Sequence, residues 1–423
     1  MWVAYLVIAI CAMVFGAACD REACVLPNGP YNCSDEDIKG VDLSAKTLTN
    51  ADFSKADGQF VNFANANLAG ADFSQADVTE SNFKHTNLEG ANFTGSVASN
   101  ANFNDSNING ASLLAAVMKN SSFQKAKAAK ADFSSASLEG AKFLATDLTE
   151  CVFKRSDLSN AEFTGSDLSF ADLSGSDLSG TNLANAKLDR IRLNGAKVSS
   201  STKLPEKLQV IWRIVNDELN AEDEQAISSK EKPRDLSRVD MRKGSVAQKT
   251  LAAANLSFSK IVEMQFGLSD LEKANFSNSY IENSDFTNAN LANSNFAFAE
   301  IINSDLSNIA ASKADFNDIK ANGLNLKGAL LDNAQFEKAS IRKGQFDRAS
   351  LMNANFFGAT LVQSSFMEAS LIGANFSSAD LKSANFQNAR LEKKTDFEKA
   401  NASSANFSGL DLKQAKFNNG TFI

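Results

Sequence analysis

The chain has 423 residues and a formal charge of −8, with 43% hydrophobic and 22% charged side chains, enough length and apolar material for two cored domains. Its inventory is skewed: 32 Phe stand against 3 Tyr, 2 Trp, 4 Pro and a single His, the bias of one local environment copied many times. One His excludes a multi-His metal site, and residues 236–423 show no basic stripe to support nucleic-acid binding.

Residues 1–18 read as a secretory signal peptide. An apolar run from Trp2 through Val14 is short for a membrane span and leads into Gly16-Ala17-Ala18, small residues suited to cleavage. Cys19 opens an alternative, lipidation. That modification, or retention of the segment, would attach the chain to a membrane. The run lacks a leading Lys or Arg, and Gly16 stands where a lipidation signal favours a Leu-like residue, so ordinary cleavage is the expectation. Residues 19–37 form a Cys-containing segment. Cys24 and Cys33 flank a turn-rich Val-Leu-Pro-Asn-Gly-Pro-Tyr-Asn and are expected to close a disulfide loop in an oxidising compartment.

A five-residue period then takes over. From Ile38, steps of five reach Val198 without a slip, 33 units in all, and only Gly58, Ala98 and Ala128 are not sizeable apolar residues. Phe recurs every ten residues, at Phe63, Phe73, Phe83, Phe93, Phe133, Phe143 and Phe153 among others. Two residues before each centre sits a small one, such as Ala51, Ala71 or Ala91, and Asp or Asn commonly lies between. Cys151 takes a small-residue position and is expected to be a buried free thiol.

The period excludes both regular structures. On an α-helix a step of five turns about 140°, which would scatter the centres over every face. On a straight strand an odd step alternates faces. All centres share one interior only if the chain turns a corner in each unit, giving coils stacked about 4.8 Å apart. Units such as Ala71-Asp72-Phe73-Ser74-Gln75, Ala91-Asn92-Phe93-Thr94-Gly95 and Ala374-Asn375-Phe376-Ser377-Ser378 resemble the A(D/N)(L/F)xx pattern of the pentapeptide repeat family. The resemblance implies an all-β solenoid: a right-handed quadrilateral parallel β-helix, four units to a coil, with centre and small residues inward and the other three outward. Phe spaced by half a coil would then line two opposite walls.

Residues 199–235 lack the repeat. Leu204, Leu208, Ile211, Trp212, Val215 and Leu219 fall at spacings of three and four, which predicts a short amphipathic helix between two arrays. Leu208, Ile211, Trp212 and Val215 would form its capping face. Similar helical segments flank the arrays of some members of the family. A second array, 236–423, runs in a new register through Phe276, Phe286, Phe346, Phe356, Phe366, Phe376 and Phe386 to Leu391. One residue is inserted near Lys393-Lys394-Thr395, which reads as a corner bulge.

No residue set for catalysis emerges. His85 follows Phe83 by two, an outward position. Asp147, Asp157, Asp167, Asp172 and Asp177 repeat at the Asp/Asn position and predict a hydrated wall, with calcium binding the sharper alternative. Residues 19–200 hold 16 basic and 23 acidic side chains, giving −7, whereas 236–423 hold 20 and 19, giving +1. The expectation is an exported, non-enzymatic structural or protein-interaction scaffold with an unidentified protein partner. It needs no cofactor and takes no nucleic acid. The family resemblance supplies the alternative, a DNA-mimicking inhibitor or protector of a type II topoisomerase, which an export signal disfavours.

Overall fold

In the computed structural model, residues 31–223, 234–392 and 394–422 are described. The expectations for residues 1–18, Cys19 and Cys24 lie outside them. The chain forms two compact units. One runs to Leu188 and takes in Ala196–Leu204; the other comprises Asp189–Gly195 and the residues from Pro205 onward.

Both units are parallel β-solenoids. In the first, the residue before each centre bridges the residue twenty on, Asp52 with Asp72 and Asn62 with Asn82, so four five-residue units close one coil. Each unit repeats the same bonds. Phe53 N–H donates to Asp72 O at 2.7 Å, Lys55 N–H to Ser74 O at 2.8 Å, and Ala56 N–H to Phe53 O at 3.1 Å. The last is the bond of a β-turn. The second residue after the centre has a positive φ, 57° at Lys55 and 63° at Gly40, as a type II turn requires at its third position.

In the second unit one wall straightens into three-residue strands: β1 Asp240–Arg242, β2 Lys260–Val262, β3 Tyr280–Glu282, β4 Glu300–Ile302, β5 Lys320–Asn322 and β6 Ser340–Arg342. They form one parallel sheet in sequential order, Asp240 opposite Lys260 and Lys260 opposite Tyr280. A short pair, β7 Thr395–Asp396 and β8 Ala415–Lys416, follows near the end of the unit.

The interior is a ladder of rings. Phe63, Phe83, Phe103, Phe123, Phe143 and Phe163 stack in one column with centroids 4.7–4.9 Å apart. Phe53, Phe73 and Phe93 form the facing column, continued by Phe133 and Phe153. Rings of facing columns meet edge to face, as Phe73 and Phe83 do at 5.6 Å. Both geometries suit the ring quadrupole. In the second unit Phe276, Phe296, Phe316, Phe336, Phe356 and Phe376 make one unbroken stack. Leu306 and Leu326 interrupt the other between Phe286 and Phe346; Phe346, Phe366 and Phe386 then resume it.

The array boundaries differ from those read in the sequence. Among the described residues pairing begins at Asn32 with Asp52, and Cys33 occupies a buried centre position, 2% exposed. At the far end Asn182 pairs with Lys203, an interval of 21. One inserted residue shifts the register there, so a scan in steps of five loses the array at Val198. Thr202 restores the packing by donating its hydroxyl to Leu178 O at 2.7 Å. Thr395 plays the same part at the second insertion, donating to Leu371 O at 2.8 Å, after which Asn375 pairs with Asp396. Residues 189–195 keep the repeat register of the first array yet pair in the second unit, where Arg190 N–H donates to Arg238 O at 2.9 Å.

Between the arrays, α1 spans Glu206–Val215. Pro205 precedes it and Glu206 sits in its first turn, both favourable at a helix start. Leu208, Val210, Ile211, Ile214 and Val215 are buried, whereas Trp212 is half-buried. At about 100° per residue the buried arc centres near Ile211 and Ile214, which moves Trp212 from the capping face to its margin. Gly244 lies under the helix end: a Cβ there would come within 2.5 Å of Ile214 O.

Candidate interaction surface

With rings filling the interior, chemistry is left to three outward positions per unit, and they are not equivalent. The Asp/Asn position is half-buried rather than free. Its Oδ1 accepts the backbone N–H two residues on, as Asp52 does from Ser54 at 2.9 Å and Asp72 from Ser74 at 2.8 Å. Asn side chains also donate to the coil before: Asn62 to Asp42, Asn82 to Asn62 and Asn102 to Asn82, at 3.0, 3.1 and 3.4 Å. A short side chain with an acceptor at Oδ1 therefore supports the turn, although Val97, Val117 and Lys127 hold the same position in units whose bridges are intact. This explains the Asp/Asn preference without any ligand.

The five aspartates expected to form a hydrated wall all spend an oxygen in this way, on the N–H groups of Thr149, Ser159, Ser169, Ser174 and Ser179. Asp172 departs furthest from the expectation: it is 5% exposed and lies 3.3 Å from Lys154 Nζ. Hydrogen bonds from Ser179 hold the Asp177 carboxyl below its ordinary range, and the same bonds from Ser44 lower Asp42. Among the described residues no group of three or more His, Cys, Asp or Glu could hold a metal ion.

The small inward position carries its own chemistry. Thr86 donates to Phe63 O at 2.9 Å, Thr146 to Phe123 O at 2.7 Å, and Cys151 Sγ to Ala128 O at 2.8 Å. Cys151 is a free, buried thiol, and burial pushes its pKa far up. Cys33 is disulfide-bonded. His85 sits at a turn corner with φ 57° and is exposed.

The corners hold most of the structure that sequence reasoning missed. At six places a corner Asn is followed one coil later by Gly, and the Asn Oδ1 lies 2.2–2.5 Å from where a Cβ would stand. The pairs are Asn50–Gly70, Asn120–Gly140, Asn160–Gly180, Asn308–Gly328, Asn353–Gly373 and Asn388–Gly409. The enrichment of Gly and Asn two residues after the centres was the available signal. Grooves indent the corners. One, of about 530 Å³, is lined by Ser134, Ser135, Lys154, Arg155, Ser174 and Gly175. Another, of about 500 Å³, includes Lys327, Gly328, Asp347, Arg348 and Glu368. Among the described residues the exposed corner side chain is Phe at four places: Phe60, Phe170, Phe258 and Phe298. No helix among the described residues is long and apolar enough to cross a membrane.

Comparison places these features in a family. The model described as pentapeptide repeats matches overlapping segments that together cover 37–199, 250–308 and 349–419. Solved structures with local similarity include HetL, a pentapeptide repeat protein involved in heterocyst differentiation regulation from the cyanobacterium Nostoc sp. strain PCC 7120. It is 20% identical, with 62% of this chain and 90% of that one covered and a TM-score of 0.22. Full-length QnrB1, a plasmid-mediated fluoroquinolone resistance protein, is 16% identical over 42% of this chain and 97% of its own, with a TM-score of 0.31. A pentapeptide repeat protein of the Arabidopsis thaliana thylakoid lumen is 32% identical over 27% and 72%, with a TM-score of 0.17. No curated protein matches the chain. With the repeat model covering more than half of its length and the coil geometry in place, the chain belongs to the pentapeptide repeat family.

Proposed function

We propose that this protein is an exported, non-enzymatic scaffold whose turn corners and flat walls dock another protein. The observation that carries the reading is the division of labour in each unit. Centre and small residues fill the interior, the Asp/Asn residues secure the turns, and most corner residues are left exposed. Residues tied to backbone bonds are poor candidates for turnover, while exposed residues on a rigid frame suit recognition. The apolar run Trp2–Val14 and a disulfide at Cys33 fit an oxidising compartment.

Two measurements test it. Fractionation with intact-mass analysis is expected to find a cleaved, oxidised chain outside the cytosol; a full-length reduced chain in the cytosol refutes export. Photo-cross-linkers placed in turn at corner positions in vivo are expected to yield a discrete protein adduct. Uncross-linked monomer at every corner refutes the scaffold.

A second reading, a DNA mimic acting on a type II topoisomerase, draws on the −7 charge of residues 19–200. Against it, many of those carboxylates face backbone N–H groups rather than a partner. Protection of gyrase supercoiling by the purified chain would favour this reading over the scaffold.

A further inference from the structure

The wall of the second unit that carries β1–β4 differs from the others. Phe258 and Phe298 stand in one corner column, two coils and about 10 Å apart, 44% and 61% exposed. Both have positive φ, 57° and 61°, a conformation bulky side chains rarely take and Asn or Gly takes easily. Asn278 holds the same corner between them. Corners throughout the repeat take this conformation, Phe60 and Phe170 included; Phe258 and Phe298 stand apart in sharing one corner column, where their exposed rings add little to the core. Tyr280 and Ile302, both half-buried, extend the apolar strip along the strands.

The charge of this wall runs against that of the chain. In the stacked segments Arg190–Arg192, Arg238–Arg242 and Phe258–Val262, five basic side chains stand against one carboxylate, Asp240. Asp240 is already engaged by Arg192 at 2.9 Å and by Arg242 at 2.6 Å. Arg238 lies 5.7 Å over the Phe258 ring and Lys260 lies 5.1 Å over Tyr280, so the cations are held against the aromatic strip. Arg190 donates to Phe258 O at 2.8 Å. Over the next two coils the sign reverses, with Glu282 accepting from Tyr280 Oη at 3.0 Å and Glu300 exposed.

We infer that this wall is a docking surface for an acidic protein segment. Its carboxylates would meet the Arg190–Arg238–Lys260 end, and its apolar or aromatic side chains would lie on Phe258, Phe298 and Ile302. A nucleic-acid strand fits less well, because its uniform phosphate charge would run into Glu282 and Glu300, whereas a protein segment can alternate its chemistry. The inference rests on the scaffold reading and names its partner class.

The test uses the full chain and three fluorescent probes in anisotropy titrations: a Glu-Tyr copolymer, poly-glutamate and a single-stranded oligothymidylate. The copolymer is expected to bind best, more weakly as salt rises. The double variant Phe258→Asn, Phe298→Asn suits the corner geometry and should keep the wild-type melting profile. It is expected to weaken the copolymer at least tenfold and poly-glutamate less than threefold. Unchanged copolymer affinity in the variant, no copolymer binding by the wild type, or tighter binding of the oligonucleotide would each overturn the assignment. None of these bears on the cross-linking test of the scaffold, so the two can fail separately.

Discussion

Truncating Phe83 to Ala tests the ring ladder most directly. Phe83 is fully buried, stacks on Phe63 at 4.9 Å and Phe103 at 4.7 Å, and meets Phe73 and Phe93 edge to face at 5.6 and 5.7 Å. Loss of a buried Phe side chain costs about 3–5 kcal/mol, and each aromatic pair adds about 0.5–1.5 kcal/mol beyond area. Neighbouring coils are locked by backbone bonds and close poorly over the hole, which puts the expected cost in the upper half of that range. Phe83→Leu is the control, because Leu113, Leu173, Leu306 and Leu326 already occupy such column positions. Its expected cost is under about 1.5 kcal/mol. Coils contact only their neighbours, so the loss should be local. Native-state hydrogen exchange should show the amides of residues 61–106 losing protection first, beside urea denaturation for the total. An Ala variant within about 0.5 kcal/mol of wild type, or a Leu variant as damaged as Ala, would refute the packing argument.

Three further outcomes are expected. Gly70→Ala should destabilise through both its left-handed backbone and the Asn50 Oδ1 contact, by about 1–3 kcal/mol in total. Adding Asn50→Ala should recover part of this in a double-mutant cycle, and strict additivity would deny the coupling. Hydrogen-bonded aspartates such as Asp177 have a folded-state pKa lowered by Ser179, so their stabilisation is present above the unfolded carboxylate pKa of about 3.9 and is lost as pH falls through the lower folded value. Thermal melts of Asp177→Asn should therefore change less than wild type between neutral and acid pH; identical acid sensitivity would count against the role. The Cys151 thiol should resist maleimide in the native state and react on unfolding. Cys151→Ser should preserve the bond to Ala128 O and the melting temperature to within a few degrees.

Much of the fold was legible because the period is short and tertiary packing obeys it. Every fifth side chain reaches the interior, so Phe63 or Phe376 announces its burial by spacing alone. The legibility fails where a residue is inserted. At Ser199–Thr202 a one-residue shift hides a coil that the structure continues to Lys203, since Thr202 can still reach a carbonyl and the backbone absorbs the extra residue. The helix face was read nearly right, with Trp212 displaced to its edge because contacts with the unit, rather than spacing alone, set the buried arc. The Asp/Asn position was read as solvent-facing, yet its oxygens bond the backbone two residues on, a local geometry that charge patterning does not reveal.

The sequence by itself determined the coil, its interior and the absence of a multi-His centre, because these follow from one repeat and an inventory. Only the tertiary structure decided which side chains become neighbours at twenty-residue intervals. That stacking sets Asn50 over Gly70 and lines up Phe258 with Phe298. It also brings Arg190 to Arg238, 48 residues on, where the chain leaves one unit for the other and no period can count the step.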